Sequence, residues 1–124
     1  MPQPGLLGPA ELEQPAAALA EAFAKVSVQA PTLRYLSGST ARLVLTADKV
    51  RDDLAFNMCR VIDWRGTVQT AYERGVRLQI ELPPGTVLTG LARKVFEQGT
   101  AVAFQGARLD TLSALLREED TRNP

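Results

Sequence analysis

The stretch IELPPGTVLTGLARKVF, residues 80–96, decides the fold. Leu78, Ile80 and Leu82 alternate with polar residues, and this alternation is the period of a β-strand. A Pro-Pro-Gly corner follows, and the apolar residues after it recur at helical spacing. The stretch therefore predicts a strand that turns sharply into a helix, with Gly85 providing the backbone freedom that the corner needs.

This corner allows two interpretations. The first N–H groups of a helix have no intrahelical partners, so they can face an anion or a carbonyl oxygen. Alternatively, the corner is an ordinary connection in which Thr86 caps the helix. Gly90, inside the helix, predicts close packing against a neighbouring element.

Helices and strands alternate along the rest of the chain. Each element is indicated by apolar periodicity together with a residue suited to start or end it. The predicted elements are a helix from Pro15, a helix over residues 47–59 capped by Thr46, a helix from Trp64 to Gly75, a strand at residues 100–105 and a final helix with Asp110 as N-cap.

This alternation predicts an α/β fold, with a small, mostly parallel sheet of three or four strands flanked by helices. So small a sheet leaves an unpaired edge unless something else completes it. The density of proline and glycine predicts an irregular N-terminal arm over residues 1–14. We expect one α/β domain over residues 15–120 and a C-terminal tail over residues 121–124.

The charge composition is balanced, because Lys and Arg number 14, as do Asp and Glu. A neutral chain has no long-range attraction for nucleic acid or for an anionic membrane. The start, MPQPGLLGPAELEQP, lacks a basic region and a long apolar run, and the single Cys59 cannot form an internal disulfide. No segment approaches the apolar length that a bilayer requires. We therefore expect a cytoplasmic protein that binds neither nucleic acid nor membranes.

Groups that commonly perform catalysis are scarce. The sequence contains no histidine, so no serine has the usual base, and none lies in a G-x-S-x-G elbow. One cysteine and scattered carboxylates provide no metal-ligand spacing, so we predict no metal site. Cys59 is interpreted as a small core residue, and the alternative is a thiol nucleophile. The candidate hydroxyls are Ser27, Ser37, Ser39 and Ser113.

Several carboxylates could act as acid and base, because paired carboxyl groups can have separated pKa values. The pattern favours a simpler interpretation, in which they lie on the polar faces of helices and strands. In the second helix, Val50, Leu54 and Met58 form the stripe expected to face the core. The carboxylates concerned are Asp52, Asp53, Asp63, Glu73 and Glu81.

The segment GVRLQIELPPGTVLTGLARKVF resembles the C-terminal signature of malonyl-CoA:acyl carrier protein transacylases. In that signature a strand ending in an acidic residue meets a G-P-G-x-V-L-T-G-L corner, and here Pro83 replaces the first glycine. Upstream, RDDLAFNMCRVIDWRGTVQTAYERGV keeps the family's spacing to Trp64 and Gly75. NMCRVIDW and GARLDTLSALLREE are most similar to the epsilon subunit of biotin-independent malonate decarboxylase. The matching corner residues are Pro84, Gly85, Val87, Leu88, Thr89, Gly90 and Leu91.

The resemblance runs from Gln14 to Glu119 and implies part of the large α/β-hydrolase-like subdomain of acyltransferases. The family's nucleophilic serine, malonyl-binding arginine and catalytic histidine precede this region, which implies no catalytic residue in this chain. Asn57 stands at the position whose backbone carbonyl orients the family's histidine. The resemblance implies that the wall of the acyl pocket is formed by Pro84, Gly85, Thr86, Val87 and Leu88.

Two functions follow from this resemblance. In the first, the chain is the C-terminal segment of a malonyltransferase that moves malonyl from CoA to the acyl carrier protein, as in malonate decarboxylase. Malonyl-CoA is then the substrate, no cofactor is needed, and the partners are the acyl carrier protein and other decarboxylase subunits. Such a segment is expected to be inactive alone. The alternative is a non-catalytic interaction module that binds an acyl carrier protein or a decarboxylase subunit.

Overall fold

The computed structural model describes residues 9–122, which form two compact units. The first unit ends at Thr67 and the second begins at Val68. The domain predicted over residues 15–120 spans parts of both units, and its bounds stay a prediction. Each unit has its own buried apolar residues, and this is the physical basis of the division.

The first unit is mainly helical. Helix α1 (Glu13–Ala24) packs against helix α2 (Ala47–Phe56), and the buried apolar residues are Ala16, Val44, Val50 and Ala55. Its elements are a 3-10 helix at Pro9–Leu12, α1 at Glu13–Ala24, α2 at Ala47–Phe56 and a second 3-10 helix at Asn57–Cys59.

The start of α1 differs from the predicted irregular arm. Within the described part of that arm, residues 9–12 form the 3-10 helix and α1 already begins at Glu13. Pro15 lies in the first turn of α1, where a missing N–H leaves no helical hydrogen bond unmade. The prediction for residues 1–8 falls outside the described residues.

Between α1 and α2, the chain forms a tight turn that carries Ser37 and Ser39. Leu36 and Leu43 form an isolated antiparallel bridge, and Ser37 N–H donates to Arg42 O at 3.0 Å. Ala41 adopts a left-handed conformation with φ of 59° in this turn. The predicted β-prone pieces therefore pair only locally.

Helix α2 begins as predicted, but it buries a different set of residues. The Thr46 hydroxyl accepts the N–H of Lys49 at 3.2 Å, which confirms the N-cap. Of the predicted core stripe, Val50 is buried, whereas Leu54 and Met58 are exposed. Asp53 is buried instead, because side-chain hydroxyls satisfy its carboxylate.

The second unit is built on a β-α-β motif. Strands β1 (Leu78–Glu81) and β2 (Thr100–Ala103) are parallel neighbours, with Leu78 opposite Thr100, and helix α4 (Val87–Arg93) packs on both strands. This confirms the predicted fold class, although the sheet has two strands within residues 9–122. The elements are α3 at Trp64–Glu73, which contains the unit boundary, β1 at Leu78–Glu81, α4 at Val87–Arg93, β2 at Thr100–Ala103 and α5 at Leu109–Arg122.

Gly75 ends α3 as predicted. Its φ is +96°, its N–H donates to Tyr72 O at 3.0 Å, and Val76 N–H donates to Ala71 O at 3.1 Å. These two hydrogen bonds satisfy the last carbonyls of the helix in a Schellman motif. The left-handed conformation explains why glycine occupies this position.

Helix α5 is longer than the sequence predicts. It begins at Leu109, so Asp110 lies in the first turn and is not the N-cap. It ends at Arg122, so the first half of the predicted tail is helical, while residues 123–124 lie outside the described residues. The Arg122 guanidinium pairs with Glu119 at 2.8 Å and donates to Gly75 O at 3.2 Å, which extends the helix. In the described part of the chain, no helix has the length and apolar character to cross a membrane.

We expect Thr46→Ala to lower the unfolding free energy of the first unit by about 1 kcal/mol, because Lys49 N–H loses its side-chain acceptor. Urea unfolding followed by tryptophan fluorescence measures this change, since the only tryptophan, Trp64, lies in the first unit. Thr46→Ser retains the hydroxyl and is the matched control. Equal unfolding midpoints for all three proteins would contradict the cap.

Candidate functional site

A buried carboxylate organises the polar centre of the first unit. Asp53 is 4% exposed, and its two oxygens accept hydrogen bonds from Ser37 Oγ at 2.6 Å and from Tyr35 Oη at 2.7 Å. Both donors are neutral hydroxyls on the turn that precedes α2. The prediction that Asp53 lies on a polar helix face is therefore wrong, because its hydrogen bonds hold α2 to that turn.

The same cluster extends to Asn57. Ser37 Oγ and Ser39 Oγ lie 3.1 Å apart, and Ser39 Oγ donates to Asn57 Oδ1 at 2.8 Å. The backbone of Asn57 is also engaged, because its carbonyl accepts the N–H of Arg60 at 3.1 Å. Side chain and backbone together fix Asn57 at the junction of α2 and the 3-10 helix.

Cationic groups line a cleft of about 290 Å³ beside this cluster. Arg60 pairs with Asp52 at 2.8 Å across the rim, and Arg42 and Lys49 contribute further positive charge. Ser37 and Asp53 reach the cleft from the buried side. Ser37 is only 1% exposed, so its hydroxyl is not accessible as a nucleophile.

The pKa of the Tyr35 phenol is raised above its ordinary value. Burial, the hydrogen bond to Asp53 and the charge of Asp53 together raise the pKa of Tyr35 from 10.0 to about 12. Loss of the phenol proton would place two negative oxygens in contact, which explains the direction of the shift.

The predicted corner lies in the second unit. The Pro83–Pro84 peptide bond is cis, and Gly85 has a φ of +98°, a left-handed conformation that favours glycine. Gly85 N–H donates to Gln105 Oε1 at 2.8 Å, which ties the corner to the loop after β2. The other predicted wall residues are exposed, namely Pro84, Thr86, Val87 and Leu88.

Helix α4 is capped by Glu81, a side chain of the preceding strand. Thr86 occupies the N-cap position but makes no capping hydrogen bond with its side chain, so the prediction of Thr86 as cap is wrong. Instead, Glu81 Oε1 accepts the N–H of Thr89 at 2.7 Å and its hydroxyl at 2.8 Å. Glu81 is 7% exposed, and the predicted exposed strand face is therefore also wrong at this residue. Leu82 takes the exposed position because β1 ends at Glu81.

An open cleft of about 540 Å³ borders α4 and the end of β2. Thr86, Gly90 and Arg93 line it from the helix, and Gln105 lines it from the loop after β2. A Cβ added at Gly90 would meet no atom within 4 Å. The predicted close packing at Gly90 is therefore wrong, because this glycine faces the cleft.

The remaining candidates are the thiol of Cys59 and possible metal ligands. Cys59 is partly buried, and its thiol donates to Phe56 O at 3.1 Å. Within residues 9–122, no three His, Cys, Asp or Glu side chains are grouped so that they could hold a metal ion. The wall residues of the corner follow one another in the second unit, and Asn57 belongs to the first.

Sequence patterns missed the two buried carboxylates. Asp53 and Glu81 stand at positions that helix and strand periodicity assign to the surface, so binary patterning hides them. A usable signal existed for Glu81, because an acidic residue two positions ahead of a Pro-Pro-Gly corner can reach the first turn of the next helix.

We expect Glu81→Ala to destabilise the protein by about 3 kcal/mol, because it leaves the N–H and hydroxyl of Thr89 buried without their acceptor. Glu81→Gln keeps an amide oxygen and should lose about half as much. Thermal or urea unfolding followed by circular dichroism measures both variants. The control is Glu73→Ala, an exposed carboxylate expected to change stability by less than about 0.5 kcal/mol. A loss at Glu81 no greater than this control would refute the cap.

We also expect the stability that Tyr35 contributes to be lost as the pH rises from about 10 to about 12. The folded state holds the phenol proton more tightly than the unfolded state, so the contribution is complete below the ordinary pKa and absent above the raised one. Tyrosinate absorbance measured for the wild type minus Tyr35→Phe should show a midpoint near pH 12. A midpoint near the ordinary value would show that Asp53 does not hold this phenol.

No family model matches this chain, but individual proteins do. The malonyl CoA-acyl carrier protein transacylase of Escherichia coli strain K12 is 32% identical over 94 residues, covering 75% of this chain and 30% of that enzyme. The chain thus spans less than a third of the length of this curated relative.

Solved structures agree with this similarity. The malonyl-CoA:acyl carrier protein transacylase of Xanthomonas oryzae superimposes with a TM-score of 0.72 at 26% identity, over 86% of this chain and 33% of that one. A malonyl-transacylase solved in complex with a type II polyketide acyl carrier protein superimposes with a TM-score of 0.63 at 23% identity, over 76% of this chain and 29% of that one. Over most of its length, this chain is similar to part of the malonyl-CoA:acyl carrier protein transacylases in both sequence and fold.

Proposed function

We propose that this chain forms a segment of a malonyltransferase, which moves a malonyl group from CoA to an acyl carrier protein, in the manner of malonate decarboxylase. The observation that carries this proposal is the 32% identity to the E. coli transacylase over 94 residues. Fold similarity to the X. oryzae enzyme covers 86% of the chain and supports the same assignment. The decarboxylase context rests on the resemblance of NMCRVIDW and GARLDTLSALLREE to the epsilon subunit.

Asn57 is proposed to orient the catalytic histidine of the complete enzyme through its backbone carbonyl. A carbonyl oxygen has two lone pairs, so the hydrogen bond from Arg60 N–H leaves one acceptor position. The hydrogen bond from Ser39 to the Asn57 side chain holds the peptide in place. A rigid acceptor of this kind fixes the tautomer of an imidazole that donates to it.

The corner over residues 84–88 is proposed to form a wall of the acyl pocket. Thr86 already borders the cleft beside α4, and the backbone at Gly85 is held by Gln105. An exposed, backbone-rich corner can approach a substrate closely without steric obstruction from side chains. These features support a wall role and supply no reactive group.

The reactive groups are proposed to come from outside this chain. The sequence has no histidine, so a general base of the usual kind is absent. Ser37 is buried and donates to Asp53, and Ser39 donates to Asn57, so both hydroxyls are committed to structure. We therefore expect the pure chain to transfer no malonyl group, and we place it in the cytoplasm with the acyl carrier protein and decarboxylase subunits as partners.

A second candidate function is a non-catalytic module that binds an acyl carrier protein. A transacylase of similar fold has been solved with its carrier protein, and this observation favours the candidate. Binding of a carrier protein by the pure chain, with no effect on transfer in any assembled enzyme, is the result that would select it.

The decisive experiment is a chimera of the E. coli transacylase in which the 94 matched residues are replaced by their counterparts from this chain. We expect the chimera to transfer malonyl from malonyl-CoA to a carrier protein, because its serine and histidine come from the E. coli part. Radiolabelled malonyl transfer measures the activity.

Two controls sharpen this comparison. The E. coli enzyme lacking the matched segment should be inactive. Asn57→Gln in the chimera should retain activity, because glutamine keeps both the backbone carbonyl and a side-chain amide oxygen that can accept from Ser39. A well-folded chimera with no transfer would overturn the proposed function. Malonyl transfer by the pure chain would overturn the assignment of the reactive groups to another part of the enzyme.

A further inference from the structure

Three cationic side chains converge on the cleft of about 290 Å³ in the first unit. Arg42 comes from the turn before α2, Lys49 from the first turn of α2, and Arg60 from the position that follows the second 3-10 helix. Like charges that lie close together repel one another, and this repulsion costs stability unless an anion joins them. The fold therefore gathers positive charge at one cleft from three separate segments of the chain.

Hydrogen bonds fix the backbone at each of these cations. Arg42 O accepts the N–H of Ser37 at 3.0 Å, and Lys49 N–H donates to the N-cap hydroxyl of α2 at 3.2 Å. Arg60 N–H donates to Asn57 O at 3.1 Å. Side chains that extend from fixed positions lose less freedom when a ligand binds, and this favours affinity.

Two carboxylates line the same cleft, and both are already engaged. Asp52 pairs with Arg60 at 2.8 Å, and the oxygens of buried Asp53 accept two hydroxyl hydrogen bonds. By contrast, the ion pairs of the described residues involve neither Arg42 nor Lys49. Three cations and two carboxylates leave a formal excess of one positive charge in the lining. This excess lies at the surface, because Arg42 and Lys49 are exposed.

The other lining residues indicate which kind of anion fits. Thr40 Oγ1 accepts the N–H of Arg42 at 3.3 Å, so its own proton is left to donate to a ligand oxygen. Leu43 and Val44 give the cleft an apolar side. One guanidinium matches a carboxylate, whereas a phosphate group carries about two negative charges and three acceptor oxygens that several donors can share. The cleft volume lies near the lower limit of about 300 Å³ for small-molecule pockets, so a small organic group fits beside the phosphate.

We propose that this cleft binds the phosphate group of a small phosphate monoester, with Arg42, Lys49 and Arg60 as its cationic contacts. The Thr40 hydroxyl adds a neutral donor, and the organic part of the ligand lies against the apolar side of the cleft. Asp52 competes with the phosphate for Arg60, so this carboxylate weakens binding in the wild type. The site goes beyond the proposed malonyl transfer and does not rest on it.

The test is a titration of the full chain with inorganic phosphate, phenyl phosphate and benzoate, followed by two-dimensional NMR of the backbone amides. We expect saturable shifts centred on Thr40, Arg42 and Lys49 with both phosphate compounds. Phenyl phosphate should bind more tightly than inorganic phosphate, because its ring contacts the apolar side of the cleft. Benzoate has the same ring with a carboxylate and should bind at least about tenfold more weakly than phenyl phosphate. Added salt should weaken the binding of both phosphate compounds.

Substitutions of the two kinds of charge should act in opposite directions. Arg42→Gln and Lys49→Gln each remove an exposed cation and should weaken the binding of phenyl phosphate by about fivefold or more. Asp52→Asn releases Arg60 from its carboxylate and should strengthen that binding by about threefold. The matched control is Arg34→Gln, which removes an exposed guanidinium of the first unit outside the cleft and should leave binding unchanged.

The contrary outcomes are equally decisive. Shifts that spread over exposed cations throughout the chain and do not saturate would overturn the proposal, in favour of a solvated cationic surface. Equal affinity for benzoate and phenyl phosphate would overturn the assignment to phosphate. Circular dichroism verifies that each variant retains its fold. In folded variants, unchanged binding by both Arg42→Gln and Lys49→Gln, or weaker binding by Asp52→Asn, would place the anion outside this cleft.

Discussion

The carboxylate of Glu81 is the interaction on which the second unit depends. It accepts both the N–H and the hydroxyl of Thr89, so the last residue of β1 also caps the first turn of α4. A local cap at Thr86 would stabilise the helix alone, whereas a cap from the strand also fixes the helix against the sheet. The corner between them is thereby tied at both ends, and after α4 the chain returns as β2, parallel to β1.

The first unit uses the same chemistry in a different topology. Asp53 on α2 accepts from two hydroxyls of the preceding turn, without a cation in direct contact among the described residues. A buried charge is costly unless hydrogen bonds replace its water, and neutral donors at 2.6 and 2.7 Å meet that need. Ser39, whose hydroxyl lies beside that of Ser37, donates a hydrogen bond to the Asn57 side chain and so connects Asn57 to this cluster. The conformation of the candidate site is thus set by side chains that do not belong to it.

Much of the fold could be predicted because its signals are local. The Thr46 cap, the Gly75 C-cap and the order of strand, corner and helix depend on neighbours within a few residues, and all three are confirmed. The burial of Asp53 and Glu81 could not be predicted, since it depends on donors that folding brings from elsewhere. The same limit explains why local signals predicted the corner itself but not the hydrogen bond from Ser39 that anchors Asn57 across 18 positions.

Gly90 affects both the stability of helix α4 and the width of the cleft beside it. Glycine inside a helix lowers stability by about 1 kcal/mol relative to alanine, yet nothing within 4 Å prevents a larger residue here. Sterics therefore do not require this glycine, and its bare backbone keeps the floor of the cleft wide at the expense of helix stability. Progressively larger side chains at this one position offer a graded way to narrow that cleft from within while the sheet and the corner stay as they are.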